Sequence, residues 1–209
     1  MESIIQTITV YAIPVLFAIT VHEAAHGYVA RLFGDNTAFI AGRITLNPLK
    51  HIDPIGTIVV PLVMVTLSGF MFGWAKPVPV NFGQLRKPKR DMIWVAAAGP
   101  GVNLLMAILW LLFAKAVVFL NMQEAFFLLV ADAGIKVNLM LMALNLLPLP
   151  PLDGGRILVG VLPRRIAWQV ARIEPYGFVI LMVLLFTNTL GFFIQPFLRL
   201  GSTVLELFI

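Results

Sequence analysis

Cysteine is absent from all 209 residues, which excludes thiolate metal sites, cysteine nucleophiles and disulfides and leaves the redox compartment open. Charge is also scarce. Asp, Glu, Lys and Arg make up 12% of the chain against 60% hydrophobic residues, and the mean hydropathy is +0.95. A water-soluble core does not account for that balance, so the chain reads as an all-α polytopic membrane protein whose surroundings are a lipid bilayer rather than nucleic acid. No internal repeat, low-complexity tract or long charged tail interrupts it.

Apolar segments run over Ile4–Phe33, Ile55–Phe72, Met92–Leu120, Ala125–Leu149, Phe178–Thr187 and Leu190–Ile209, five to six in all, the fifth being short. The first lacks the basic start of a cleavable signal peptide. Twelve of the fifteen basic residues fall in three regions, and orientation follows Lys and Arg in short loops. These are Arg31, Arg43 and Lys50; then Lys76, Arg86, Lys87, Lys89 and Arg90; then Arg156, Arg164, Arg165 and Arg172. If all three regions are cytoplasmic, the segment at 55–72 does not cross the membrane and is expected to be a re-entrant or interfacial hairpin. Pro61 and Ser68-Gly69 are compatible with such a break. The alternative is an ordinary span kinked at Pro61.

The first segment contains His22-Glu23-Ala24-Ala25-His26. Positions four apart stack on one helical face, so both imidazoles can point at one ion with Glu23 beside them. This is the pattern of zinc-dependent hydrolases, in which two histidines hold zinc and the glutamate acts as base toward water. A five-residue pattern also arises by chance. In hydrocarbon, however, two histidines and a glutamate are costly to keep, and such a cluster marks a functional site by default.

Catalytic zinc usually takes three protein ligands, and one carboxylate has a suitable apolar setting: Asp153, in the stretch Asn145-Leu-Leu-Pro-Leu-Pro-Pro-Leu-Asp153-Gly-Gly155. Pro148, Pro150 and Pro151 end the fourth segment, and Gly154-Gly155 permit a tight turn or close backbone approach. The histidines lie toward the C-terminal end of the first segment and Asp153 just past the end of the fourth. Two crossings between them bring the three residues together and three would separate them, which again argues that 55–72 does not cross.

With these motifs, and with Ala98-Gly99-Pro100-Gly101-Val102-Asn103 in the third segment, the chain resembles the site-2 protease family of intramembrane zinc metalloproteases. The stretches from Gly42 to Pro54 and from Gly73 to Asn81 resemble its short bacterial and archaeal branch, and the likeness covers residues 11 to about 160. It implies one Zn2+ per chain on His22, His26 and Asp153, with Glu23 as catalytic base. It also implies regulated hydrolysis of peptide bonds within or near transmembrane segments of membrane-protein substrates. The expected setting is the multi-pass plasma membrane of a bacterium or archaeon, with the active site nearer the cytoplasmic face. No loop reaches the roughly 80–100 residues of a PDZ insert. One membrane-embedded domain is expected over 1–209, with a three-helix catalytic core at about 5–160 and C-terminal helices at about 166–209.

An extended substrate adding to an edge strand would expose its scissile bond, and Lys76–Val80 and Gly42–Leu46 are the candidate short β-strands. Asn145 and Asn103 are candidate donors to the developing oxyanion, although an intramembrane Asn equally serves helix–helix hydrogen bonds. His51 and Asp53 read as loop residues, with Asp53-Pro54 a helix start. Asp132 and Lys136 read as a buried ion pair. Gly99-Pro100-Gly101 reads equally as a close helix contact, and the four tryptophans as interfacial anchors. A divalent-metal transporter would need paired repeats or several midplane acidic sites, which the sequence lacks. A non-catalytic adaptor would have no need of Glu23.

Overall fold

The computed structural model describes residues 2–60, 75–122 and 124–208, and among these the regular structure is entirely helical. The main helices are α1 (Glu2–Leu32), the single turn α2 (Thr37–Ile40), α3 (Pro88–Phe119), α4 (Ala125–Asn145), α5 (Asp153–Val161), α6 (Arg164–Ala171), α7 (Glu174–Phe186) and α8 (Leu190–Glu206).

Three long helices build the core, each through a buried stripe of period four. On α1 it is Val10, Pro14, Ala18, His22, His26 and Ala30; on α3, Asp91, Val95, Gly99, Asn103 and Ala107; on α4, Val130, Gly134, Asn138 and Met142. Residues four apart form a ridge along a helix, and ridges of small side chains let neighbouring helices seat closely. Val10 packs with Val130 and Ala133, while Ala30 packs with Val95, so α1 runs parallel to α4 and antiparallel to α3. The opposite faces carry exposed Ile8, Phe17, Leu105, Leu109 and Leu112, an apolar exterior suited to lipid.

Three helices of α1, α3 and α4 are long and apolar enough to span a bilayer, and a fourth span results only if α6 and α7, bent by 62°, count as one. Of the five to six expected apolar segments, the one at 55–72 lies mostly outside the described residues, and the C-terminal two fall short in length: the Thr187–Thr189 turn splits that region into helices of 13 and 17 residues. At 1.5 Å per residue these reach about 20 and 26 Å, short of a hydrocarbon layer of about 30 Å. α8 nevertheless docks on α4, where Gly201 faces Leu139 and Met142. Most of the expected hairpin at 55–72 lies outside the described residues; its entry, Pro54–Val59, is a π-helical turn capped by Asp53, whose side chain accepts from the N–H of Ile55 and Gly56.

The expected short β-strands do not form among the described residues. Pro77 and Pro79 deprive 76–80 of two ladder donors, and the N–H groups of Lys76 and Val78 are bound by His51 and Glu23. Asp132 and Lys136 do pair, at 2.6 Å, but with both side chains more than half exposed rather than buried. Trp94 and Trp168 are exposed as anchors would be, whereas Trp110 lies over Gly134 inside the bundle.

Candidate metal centre

The α1 stripe delivers His22 and His26 with their Nε2 atoms 3.1 Å apart. Asp153, the first residue of α5, places Oδ2 3.3 Å from each of them. Its approach depends on the chain that precedes it. The 146–150 segment folds back so tightly on the start of α5 that a Cβ at Gly154 would lie 2.2 Å from the Leu146 carbonyl oxygen, and one at Gly155 would lie 2.2 Å from the Pro150 nitrogen. The glycine pair allows the close approach that the sequence suggests. Position 153 also sits in the first turn of α5, where the helix dipole favours a carboxylate.

The outer nitrogens of both imidazoles are fixed by acceptors on α3. His22 Nδ1 donates to Asn103 Oδ1 at 2.5 Å, and His26 Nδ1 donates to the Val95 carbonyl oxygen at 2.7 Å. Each proton is therefore placed on Nδ1, which leaves an Nε2 lone pair facing the other ring and Asp153. Asp153 Oδ2 is buried with no hydrogen-bond donor among the described residues. Three electron-pair donors, one of them a carboxylate, thus converge in a buried space with no basic side chain paired to them among the described residues, an arrangement that a cation stabilises.

The dimensions fit zinc. Ligand atoms about 2.1 Å from a tetrahedral ion stand roughly 3.4 Å apart, close to the 3.1 and 3.3 Å edges here. His22, His26 and Asp153 are the group of potential ligands that the described residues bring together, and His51 is not part of it. His51 is instead buried and bonded through Nε2 to the Thr45 carbonyl at 3.0 Å.

Gly99 is the floor of this space. A Cβ there would stand 2.5 Å from His22 Cε1 and His26 Nε2 and 2.6 Å from His22 Nε2. Val95, Gly99 and Asn103 thus form one functional face of α3, of which the sequence reading assigned only Asn103 a chemical part, and a different one. The four-residue spacing that paired the histidines would also have paired Gly99 with Asn103. Asn103 is fully buried, and its Nδ2 donates to Asn138 Oδ1 at 2.9 Å and the Ala18 carbonyl at 3.3 Å; Asn138 in turn donates to the Gly134 carbonyl at 2.8 Å. Asn145, partly buried at the end of α4, donates to the Leu141 carbonyl at 3.0 Å.

Glu23, next to His22 on α1, accepts the Val78 backbone N–H through its Oε2 at 2.7 Å. One carboxylate oxygen is thereby anchored to the 76–80 segment.

Asn103→Ala is expected to lower zinc affinity about 10- to 100-fold, the usual effect of removing the partner of a metal-binding histidine. Competition against a fluorescent chelator measures it. An unchanged affinity would mean that Asn103 only joins helices.

Among known proteins, the chain is 40% identical over 207 residues to "Putative zinc metalloprotease YwhC" of Bacillus subtilis, covering 94% of this chain and 89% of that protein. It is 33% identical over 178 residues to "Putative zinc metalloprotease Rip2" of Mycolicibacterium smegmatis, covering 84% and 66% respectively. The Rip2 protein of Mycobacterium tuberculosis is 31% identical over 176 residues. No family model matches the chain, and no solved structure does. Identity of this extent over nearly the whole chain, with two histidines and an aspartate converging in a three-helix core, means that the protein belongs to the site-2 protease family of zinc metalloproteases.

Proposed function

We propose that this protein is an intramembrane zinc endopeptidase that hydrolyses peptide bonds in or near transmembrane segments of other membrane proteins, as in regulated intramembrane proteolysis. The observation that carries the reading is the donor triangle of His22, His26 and Asp153, set inside a bundle whose outer faces are apolar. One zinc ion per chain would be held by these three residues. When bound, it supplies Lewis-acid polarisation of a carbonyl and acidification of a water.

The chain's own residues supply the rest. Glu23 takes a proton from water at Oε1, the water oxygen bonds to the scissile carbonyl carbon, and Glu23 returns the proton to the nitrogen as the C–N bond breaks. Asn103, with its amide hydrogens engaged by Asn138 and Ala18, serves by orienting His22. Asn145 has a second amide hydrogen for the developing oxyanion.

The cytoplasmic side is favoured by charge. The site lies at the end of the bundle that carries Arg31, Lys87, Lys89, Arg90 and Arg156, and basic loops mark the cytoplasmic face. Convergence of α1 with the residues after α4 also supports an even number of crossings between them. The substrates in this reading are transmembrane proteins or peptides.

The test is zinc content together with cleavage of a panel of single-span substrates, in detergent and then in liposomes. Wild-type protein is expected to hold about one zinc per chain and to cleave, whereas Asp153→Asn loses both. A folded wild type that binds no metal under non-stripping conditions would sink the reading, and zinc transport through sealed vesicles would replace it.

A further inference from the structure

The segment Lys76-Pro77-Val78-Pro79-Val80 runs directly beside Glu23, and its composition makes it stiff. Each proline fixes its own φ, and the residues before them, Lys76 and Val78, are restricted to extended backbone. The stiff segment is clamped at several points. The Lys76 N–H donates to the His51 carbonyl at 2.9 Å, and the Asn81 N–H donates to the fully buried Asp35 carboxylate at 2.7 Å. Arg43, 9% exposed, donates from Nη2 to the carbonyls of Lys76 at 2.8 Å and Pro77 at 3.3 Å. Gly27, one turn beyond Glu23 on α1, seats the segment: a Cβ there would stand 3.1 Å from side-chain carbons of both Val78 and Ile44.

The peptide unit joining Pro77 to Val78 is held at both ends. Its oxygen faces the Arg43 guanidinium, and its N–H is the donor to Glu23 Oε2. Because prolines flank it, Val78 supplies the single N–H among residues 77–79. A cation on the carbonyl and an anion on the N–H polarise one peptide dipole in the same sense, so each bond strengthens the other in a buried setting.

We propose that Arg43 is a positioning residue for Glu23, acting through this peptide unit to hold the carboxylate against the scissile water. Arg43 is a long charged side chain buried without an ion-pair partner among the described residues, a costly arrangement for a purely structural clamp. Here its charge is placed where it also orients the base. The proposal rests on Glu23 being the base of the protease reading above.

The experiment compares wild type, Arg43→Met and Arg43→Lys as full-length, zinc-loaded protein by hydrogen–deuterium exchange and by cleavage kinetics. Prolines leave few amides in peptides covering 76–81, so the signal is concentrated on the clamped N–H groups. Arg43→Met is expected to speed exchange there about tenfold. It is also expected to lower kcat about 10- to 100-fold, the effect of misplacing a reacting group by about an ångström, with KM little changed and zinc retained. Arg43→Lys keeps the charge on one carbonyl and is expected to recover part of both losses. If Arg43→Met unfolds, Arg43→Lys against wild type decides by the same two readings, with intermediate values expected.

Unchanged exchange at 76–81 in the Arg43 variants would overturn the proposal, as would a raised KM with intact kcat, which would place Arg43 on the substrate instead. A wild type that cleaves nothing would sink the protease reading, yet the exchange comparison would still decide whether Arg43 holds the segment.

Discussion

Gly99→Ala is expected to empty the metal centre, with zinc per chain falling from about one to background and cleavage falling with it. The added methyl lands 2.5 Å from His22 Cε1 and His26 Nε2, well inside van der Waals contact. A flexible neighbour would swing aside, but these rings cannot do so cheaply. His22 is tied to Asn103 and His26 to the Val95 carbonyl, both on the helix that carries the new methyl. Either ring must give up its anchor, or α1 and α3 must separate along a stripe that also seats Ala30 on Val95. Overpacking of this kind costs about 1–3 kcal/mol in a packed core. Gly101→Ala is the matched control on the same helix, because a Cβ there meets nothing within 4 Å and the residue is exposed. It is expected to keep zinc and gain slightly in helix stability. Equal zinc in the two variants, measured by plasma emission on purified protein, would remove Gly99 from the site.

That contrast separates what the sequence discloses from what only packing discloses. The four-residue step between His22 and His26 is a property of one helix, and Asp153 is conspicuous as a carboxylate among prolines and glycines. Gly99 and Gly101 are equivalent by composition; only the position of α1 decides that one lies beneath two imidazoles and the other faces outward. Asn103 is legible as an expensive intramembrane amide, but not its partner, because the choice between a substrate oxyanion and His22 is made by helix register. Asp132 and Lys136 show the same limit in reverse, since their spacing predicts the pair but not its exposure. The strand expectation at 76–80 rests on an extended local conformation. Strands also need donors in register, and Pro77 and Pro79 have none to give while Val78 spends its own on Glu23.

Glu23→Gln separates metal binding from chemistry. The substitution keeps the shape of the side chain and leaves His22, His26 and Asp153 untouched, so zinc is expected to stay near one per chain. The glutamine oxygen still accepts the Val78 N–H, without the charge of the carboxylate, so the 76–81 segment stays in place and its amide exchange is expected to quicken by less than in Arg43→Met. What is lost is the second oxygen: a neutral amide NH2 stands where the carboxylate would take up a proton, and it has no lone pair available for one. Removal of a positioned general base costs about 10²- to 10⁴-fold, so kcat is expected to fall within that range while KM holds. The variant therefore becomes a metal-loaded, substrate-binding protein that does not cut, and single-span substrates should copurify with it. A variant retaining more than about a tenth of wild-type kcat would transfer the proton to another group. Loss of zinc together with activity would instead mean that Glu23 helps to hold the metal, and the division of labour between the triangle and the carboxylate beside it would have to be redrawn.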